Sequence, residues 1–156
     1  MQTMGRPGQW ISTAGVLCLT LGACKDSATA TGDHLPAGTY LLHSVDARAL
    51  PVVLERPGPR DMVAIVGGQL VVKPDGSFEG GIDVGTARDG IDGFGRVEHL
   101  VTTGSFRRQG ANVALTATDG RVIRLTLENG ALWGEPVAAL DSRLAPLGRF
   151  EYRMLR

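Results

Sequence analysis

The sequence has little with which to brace itself covalently or to draw in a highly charged partner. Of its two cysteines, Cys18 lies inside an apolar leader and Cys24 at its end, so the rest of the chain has no pair for an internal disulfide and must be held by packing. Acidic and basic residues balance at 16 each, which argues against a net field toward nucleic acid or an anionic membrane surface. Lysine is nearly absent. The 14 arginines are scattered singly apart from Arg107 and Arg108, and read as solvated surface rather than a phosphate track. No stretch keeps a 3.6-residue apolar period for three turns, which argues against a helical domain.

Chemistry-bearing constellations are also missing. The histidines are His34, His43 and His99, and no pair has the spacing of a metal-binding helix or finger. Asp83, Asp89 and Asp92 cluster in a glycine-rich stretch, but an EF-hand loop needs a third spaced ligand and a closing glutamate, so a solvated loop with acidic tips is the preferred reading. Ser105 follows Gly104, yet Gly104-Ser105-Phe106 is not a G-x-S-x-G elbow and no helix follows to present the hydroxyl. Glu55 and Asp61 flank a proline-rich loop without an evident partner base. The expectation is no catalytic residue, no metal and no cofactor, with an envelope hydrolase as the remotest alternative.

What is present begins with the amino terminus. Arg6 precedes an apolar run from Trp10 to Leu21, which is too short to span a bilayer and suits an export signal. Leu21-Gly22-Ala23-Cys24 follows at once. This resembles the lipobox of bacterial lipoproteins, and the resemblance implies that Cys24 is alkylated by a diacylglyceryl group and becomes the first residue after cleavage. Several acyl chains hold a protein to a membrane where one binds only reversibly, each buried methylene contributing roughly 0.8 kcal/mol. A competing site, Ala28-Thr29-Ala30, would release a soluble product, but it lies beyond the apolar run and the charged pair Lys25-Asp26. The expected organisation is a signal peptide over 1–23, a flexible tether over 24–36 and one domain over 37–156. The expected address is the cell envelope, with the outer membrane or cell surface preferred to the inner membrane.

From Gly38 onward, short runs with period-two alternation are separated by Gly, Pro, Asn and Asp, which predicts an all-β antiparallel meander. Candidate strands are 38–45, 51–55, 62–66, 69–73, 77–84, 96–103, 111–117, 121–128, 131–134 and 149–155. Gly67-Gly68 is a turn or a bulge within one longer strand. A helical turn over 137–144 is the one departure considered.

Hairpin register follows from matching apolar faces. A three-residue loop Thr118-Asp119-Gly120 pairs Leu115 with Ile123 and Val113 with Leu125, whereas a two-residue turn would set apolar against polar. Pro74-Asp75-Gly76 forms the same loop and pairs Val72 with Phe78. Asn129-Gly130 suits a two-residue type I′ turn that places Leu132 opposite Leu127 and points Trp133 outward beside Thr126. Eight to ten strands leave two raw edges unless they close, so a small barrel is favoured over a flat sheet.

Gly38-Thr39-Tyr40 with Leu42, Leu50-Pro51, Gly68 with Leu70 and Val72, Asp75-Gly76-Ser77-Phe78, Gly104 with Phe106, and Leu115-Thr116 before Asp119-Gly120 together resemble the lipocalin-like lipoprotein domains of bacteria. Lipocalins open on G-x-W and stack a late arginine over that ring. Here the matching position is Tyr40, and Arg153 is the arginine the resemblance implies. With Trp133, which its hairpin register points outward unless a one-residue change buries it, Tyr40 and Arg153 are the candidate ligand or partner contacts. The expected role is a lipid-anchored structural or protein-interaction barrel, bound to the membrane through acyl chains on Cys24 and meeting an envelope protein. The alternative is a barrel that holds a small hydrophobic ligand. No nucleic-acid partner is expected.

Overall fold

A computed structural model describes residues 34–88 and 93–156. The stretch expected to be a signal peptide, Leu21 to Cys24 and the expected tether up to residue 33 lie outside the described residues, as do Asp89 and Asp92.

Ten strands carry the fold: β1 Gly38–Val45, β2 Arg48–Ala49, β3 Val52–Glu55, β4 Met62–Val72, β5 Ser77–Ala87, β6 Arg96–Gln109, β7 Asn112–Ala117, β8 Val122–Glu128, β9 Ala131–Gly134 and β10 Phe150–Met154. All pairings are antiparallel, and β4 to β9 follow one another as a meander. Closure comes from β1, which pairs with β10 on one side and with β4 on the other. Eight strands thus form a closed barrel, and β2 and β3 are short additions to β1 and β4 where those two strands part.

The hairpins take the registers that the apolar pattern predicts. Leu115 lies opposite Ile123 and Val113 opposite Leu125, with Gly120 in the left-handed region at φ 86°. Val72 faces Phe78 across the turn that Gly76 closes. Asn129 and Gly130 both have positive φ, 51° and 80°, as a type I′ turn requires, and Leu127 faces Leu132.

Of the two readings at Gly67-Gly68 the longer strand holds: β4 is continuous from Met62 to Val72, with the extra residue at Val66 absorbed as a bulge between Ile65 and Gly67. Two expectations change. The sixth strand does not stop at Thr103 but runs on through Gly104 to Gln109. A β-carbon at Gly104 would collide with the Thr116 carbonyl and the Phe78 ring, so the glycine there allows close strand approach rather than ending the strand. Residues 137–144 form no helical turn. They belong to an irregular segment that ends in overlapping turns over 141–147, beginning with the Leu144 N–H to the Asp141 carbonyl at 3.1 Å.

Inside, alternate residues meet to form one core. Tyr40, Phe78, Phe150, Tyr152, Ile65, Leu70, Ile82, Leu115 and Leu132 are all essentially inaccessible. Each fully buried Leu, Ile or Phe side chain contributes roughly 1.5–3 kcal/mol, which replaces the missing disulfide as the source of stability. An eight-stranded barrel is just wide enough for side chains to fill.

Both ends are closed by chain outside the strands. At the end carrying the 73–76 and 129–130 turns, Leu35 is buried in the core, although it falls in the stretch expected to be tether. The Tyr40 hydroxyl donates to the Pro36 carbonyl at 3.0 Å, and Arg108 Nη1 donates to the His34 carbonyl at 2.9 Å. At the other end, residues 135–149 fold inward. Val137 and Ala138 are buried there, and the Val137 N–H donates to the Tyr152 hydroxyl at 2.9 Å.

Candidate functional site

The three residues singled out as contacts all border one outer cleft, but they reach it from opposite faces of the wall. Tyr40, on the inner row of β1, is 1% exposed and part of the core. Burial pushes its phenol pKa above the usual value, against a smaller opposing pull from Arg108. Trp133 and Arg153 lie on the outer wall, because Trp133 sits between Thr126 and Glu151, and Arg153 faces Leu41. Trp133 thus points outward, as its register predicts. The arginine over an aromatic ring is Arg149, with its guanidinium carbon 4.5 Å from the Trp133 centroid. Arg153 instead pairs with Glu151 at 2.6 Å.

Between those outer residues sits a carboxylate that sequence reasoning missed. Glu151 is on the outer face of β10, yet its side chain is only 5% exposed. The bulge at His43 lets Ser44 come opposite it, and the Ser44 hydroxyl donates to Glu151 Oε2 at 2.6 Å. Burial pushes the Glu151 carboxyl up, but hydrogen bonds from Ser44 and Arg153 outweigh this and hold it below the usual range. Arg153 satisfies the other oxygen, so the cluster is a charge-compensated strut between β1 and β10. No buried side-chain polar atom among the described residues lacks a partner.

The remaining candidates are placed apart. His99 and Asp83 pair across β6 and β5, with Nδ1 2.7 Å from Oδ1, on the solvent side where the ring is 67% exposed. Ser105 lies six residues farther along the same strand, about 20 Å away at the usual strand rise. The barrel therefore does not bring that hydroxyl to that imidazole. Among the described residues, no group of three or more His, Cys, Asp or Glu is placed to hold a metal.

Two clefts flank Trp133 on the outside. One, of about 630 Å³, runs from Pro36 and Tyr40 at the closed mouth past Glu151 and Arg153. The other, of about 800 Å³, is walled by Arg107, Arg124, Arg149 and Trp133 over a floor that includes Ala114. Sequence reasoning treated these arginines as scattered. Extending the Leu115–Ile123 register by one residue already sets Ala114 beside Arg124, and β6 supplies Arg107 on its other side. The signal lay in the outer rows of the sheet, not in linear spacing.

Comparison with known proteins returned no matching family model, no matching curated protein and no matching solved structure.

Proposed function

We propose that the protein is a lipid-anchored, non-enzymatic barrel of the bacterial cell envelope that works through its outer wall as a structural or interaction module. The observation that carries this reading is the filled interior. Aromatic and branched side chains occupy the barrel, and Val137 enters from one end to lie against Gly80. A barrel packed to the density of a protein core leaves no room for a guest without unfolding part of itself. Leu35 and Pro36 close the opposite mouth. Two accessible, concave surfaces with an aromatic wall lie outside the barrel on either side of Trp133.

The address rests on Leu21-Gly22-Ala23-Cys24 following directly upon a short apolar run. Acyl chains at Cys24 would hold the barrel at a membrane while leaving its wall free to meet partners.

Two measurements test the reading. Native mass spectrometry of the Cys24→Ser form should give the bare polypeptide mass, and a co-purifying lipid released on unfolding would overturn the filled-barrel role. Membrane fractionation should find the natural chain in membranes and the Cys24→Ser form uncleaved or soluble. Cleavage and membrane retention unaltered by that substitution would overturn the anchor.

A further inference from the structure

The outer wall over β6 to β9 carries an array that the filled interior does not explain. Arg107, Ala114 and Arg124 lie side by side on one cross-strand row. Gln109, Asn112, Thr126 and Trp133 form the next row. Neighbouring strands are about 4.8 Å apart, so the two arginines rise roughly 10 Å apart with only a methyl group between them. Two long side chains around a short one make a trough. Arg149, stacked on Trp133, closes one end of it.

Charge in this trough is only partly answered. Its lining holds Arg107, Arg108, Arg124 and Arg149 and no acidic side chain. Glu128 holds Arg149 at 2.9 Å, while Glu135 accepts from the Arg124 backbone N–H at 3.2 Å and reaches the Arg124 guanidinium only at 4.0 Å, with both side chains well exposed. Arg107 has no hydrogen-bond or ion-pair partner among the described residues. At about 800 Å³ the trough is of the size that takes a small ligand.

We propose that this trough binds an acidic saccharide, a sugar unit bearing a carboxylate or a phosphate. The inference rests on the outer wall being the working surface, and it names the chemistry of the partner. Guanidinium forks match the geometry of carboxylate and phosphate oxygens, and Arg107 and Arg124 are spaced to grip one from both sides. The amides of Gln109 and Asn112 and the hydroxyl of Thr126 each offer donor and acceptor, which is what sugar hydroxyls require. Trp133 supplies the flat apolar wall.

A peptide fits less well. Strands β7 to β9 have neighbours on both sides, and beside the trough β6 extends past β5 only over residues 106–109, too short a margin for an added strand. A nucleic acid would need a longer phosphate track than one patch on a chain of zero net charge.

The chain's two tryptophans are Trp10 and Trp133, so in a Trp10→Phe form of the full chain indole fluorescence reports the trough directly. Trigalacturonate, glucosamine 1-phosphate, maltotriose and hexaglutamate would be titrated at matched ionic strength. Trigalacturonate or glucosamine 1-phosphate should alter the fluorescence saturably, and which of them does so assigns carboxylate or phosphate. Maltotriose should have no effect. The double variant Arg107→Gln/Arg124→Gln should weaken binding about tenfold or more, a charge-assisted contact being lost on each side. Arg96→Gln, away from the trough, should leave binding unchanged, and unaltered melting curves would show that all forms fold.

Failure of both acidic sugars to bind, equal binding by maltotriose, or indifference to the double variant would overturn the proposal. Hexaglutamate binding as tightly, with the same dependence on Arg107 and Arg124, would overturn it in favour of an acidic protein partner. A negative titration leaves the filled interior untouched, whereas a lipid in the native mass spectrum removes the outer-wall reading whatever the titration gives.

Discussion

Val137 and Gly80 meet inside the barrel, with Val137 Cγ1 occupying the space that a β-carbon on Gly80 would need. The irregular segment after β9 is therefore fitted into the wall of β5, and Gly80 is a packing residue in mid-strand rather than a turn former.

Gly80→Ala should destabilise the protein by about 1–3 kcal/mol through overpacking. Val137→Ala in the same chain should recover part of that loss, since the two sites share one volume. Urea melts of the single and double variants measure the coupling. Strict additivity would show that Val137 does not rest on Gly80.

The chain has two tyrosines, and burial raises the pKa of both Tyr40 and Tyr152, with the Val137 N–H pulling weakly the other way at Tyr152. The sign follows directly. A phenol raised in the folded state favours folding below its unfolded value near 10, and that contribution is lost as pH rises beyond it. Absorbance at the phenolate band should stay flat through pH 10 and then rise together with loss of circular dichroism. A separate titration near pH 10 in folded protein would contradict the burial of these rings.

Arg143 grips Asp141 and also reaches Glu98 at 2.9 Å, tying the 135–149 segment to β6. The hydrogen bonds from Arg143 hold the Asp141 carboxyl below its ordinary value of 3.8. A carboxyl lowered in this way stabilises the fold above that value and ceases to do so as pH falls through its folded pKa. Asp141→Asn should lower stability at neutral pH and flatten the acid limb of the stability profile below about pH 4. An unchanged acid limb would mean the pair contributes nothing in solution.

Leu35→Ala should cost about 2 kcal/mol or more, the usual range for emptying a buried leucine site. Thermal melts read the loss. An effect near zero would return residues 34–36 to the tether.

Much of the wall was legible in advance. Alternation fixed the bounds of β1 and β9 and the registers around Gly76, Gly120 and Asn129-Gly130, because a one-residue slip would have turned Leu115 or Leu125 toward water. Closure into a barrel was expected, but not that β1 would close it by pairing with β4 and β10, since period-two patterning identifies faces and near neighbours only. The plug at Val137, Ala138 and Leu144 has no period to detect. Glu151 reads as a solvated outer residue until the bulge at His43 brings Ser44 over it. The arginine array became visible only once strand order joined three distant segments.

Strand β10 is made last of the ten described strands, and it fits between β1 and β9. Tyr40 must wait for Met154 before its row is complete, so nearly the whole chain has to emerge before the cylinder shuts. During that interval two ribbons stand with bare hydrogen-bonding margins, open to pairing with any neighbouring copy. A stop codon ahead of Phe150 would make that passing state permanent, and the expected product is aggregate rather than a smaller folded protein.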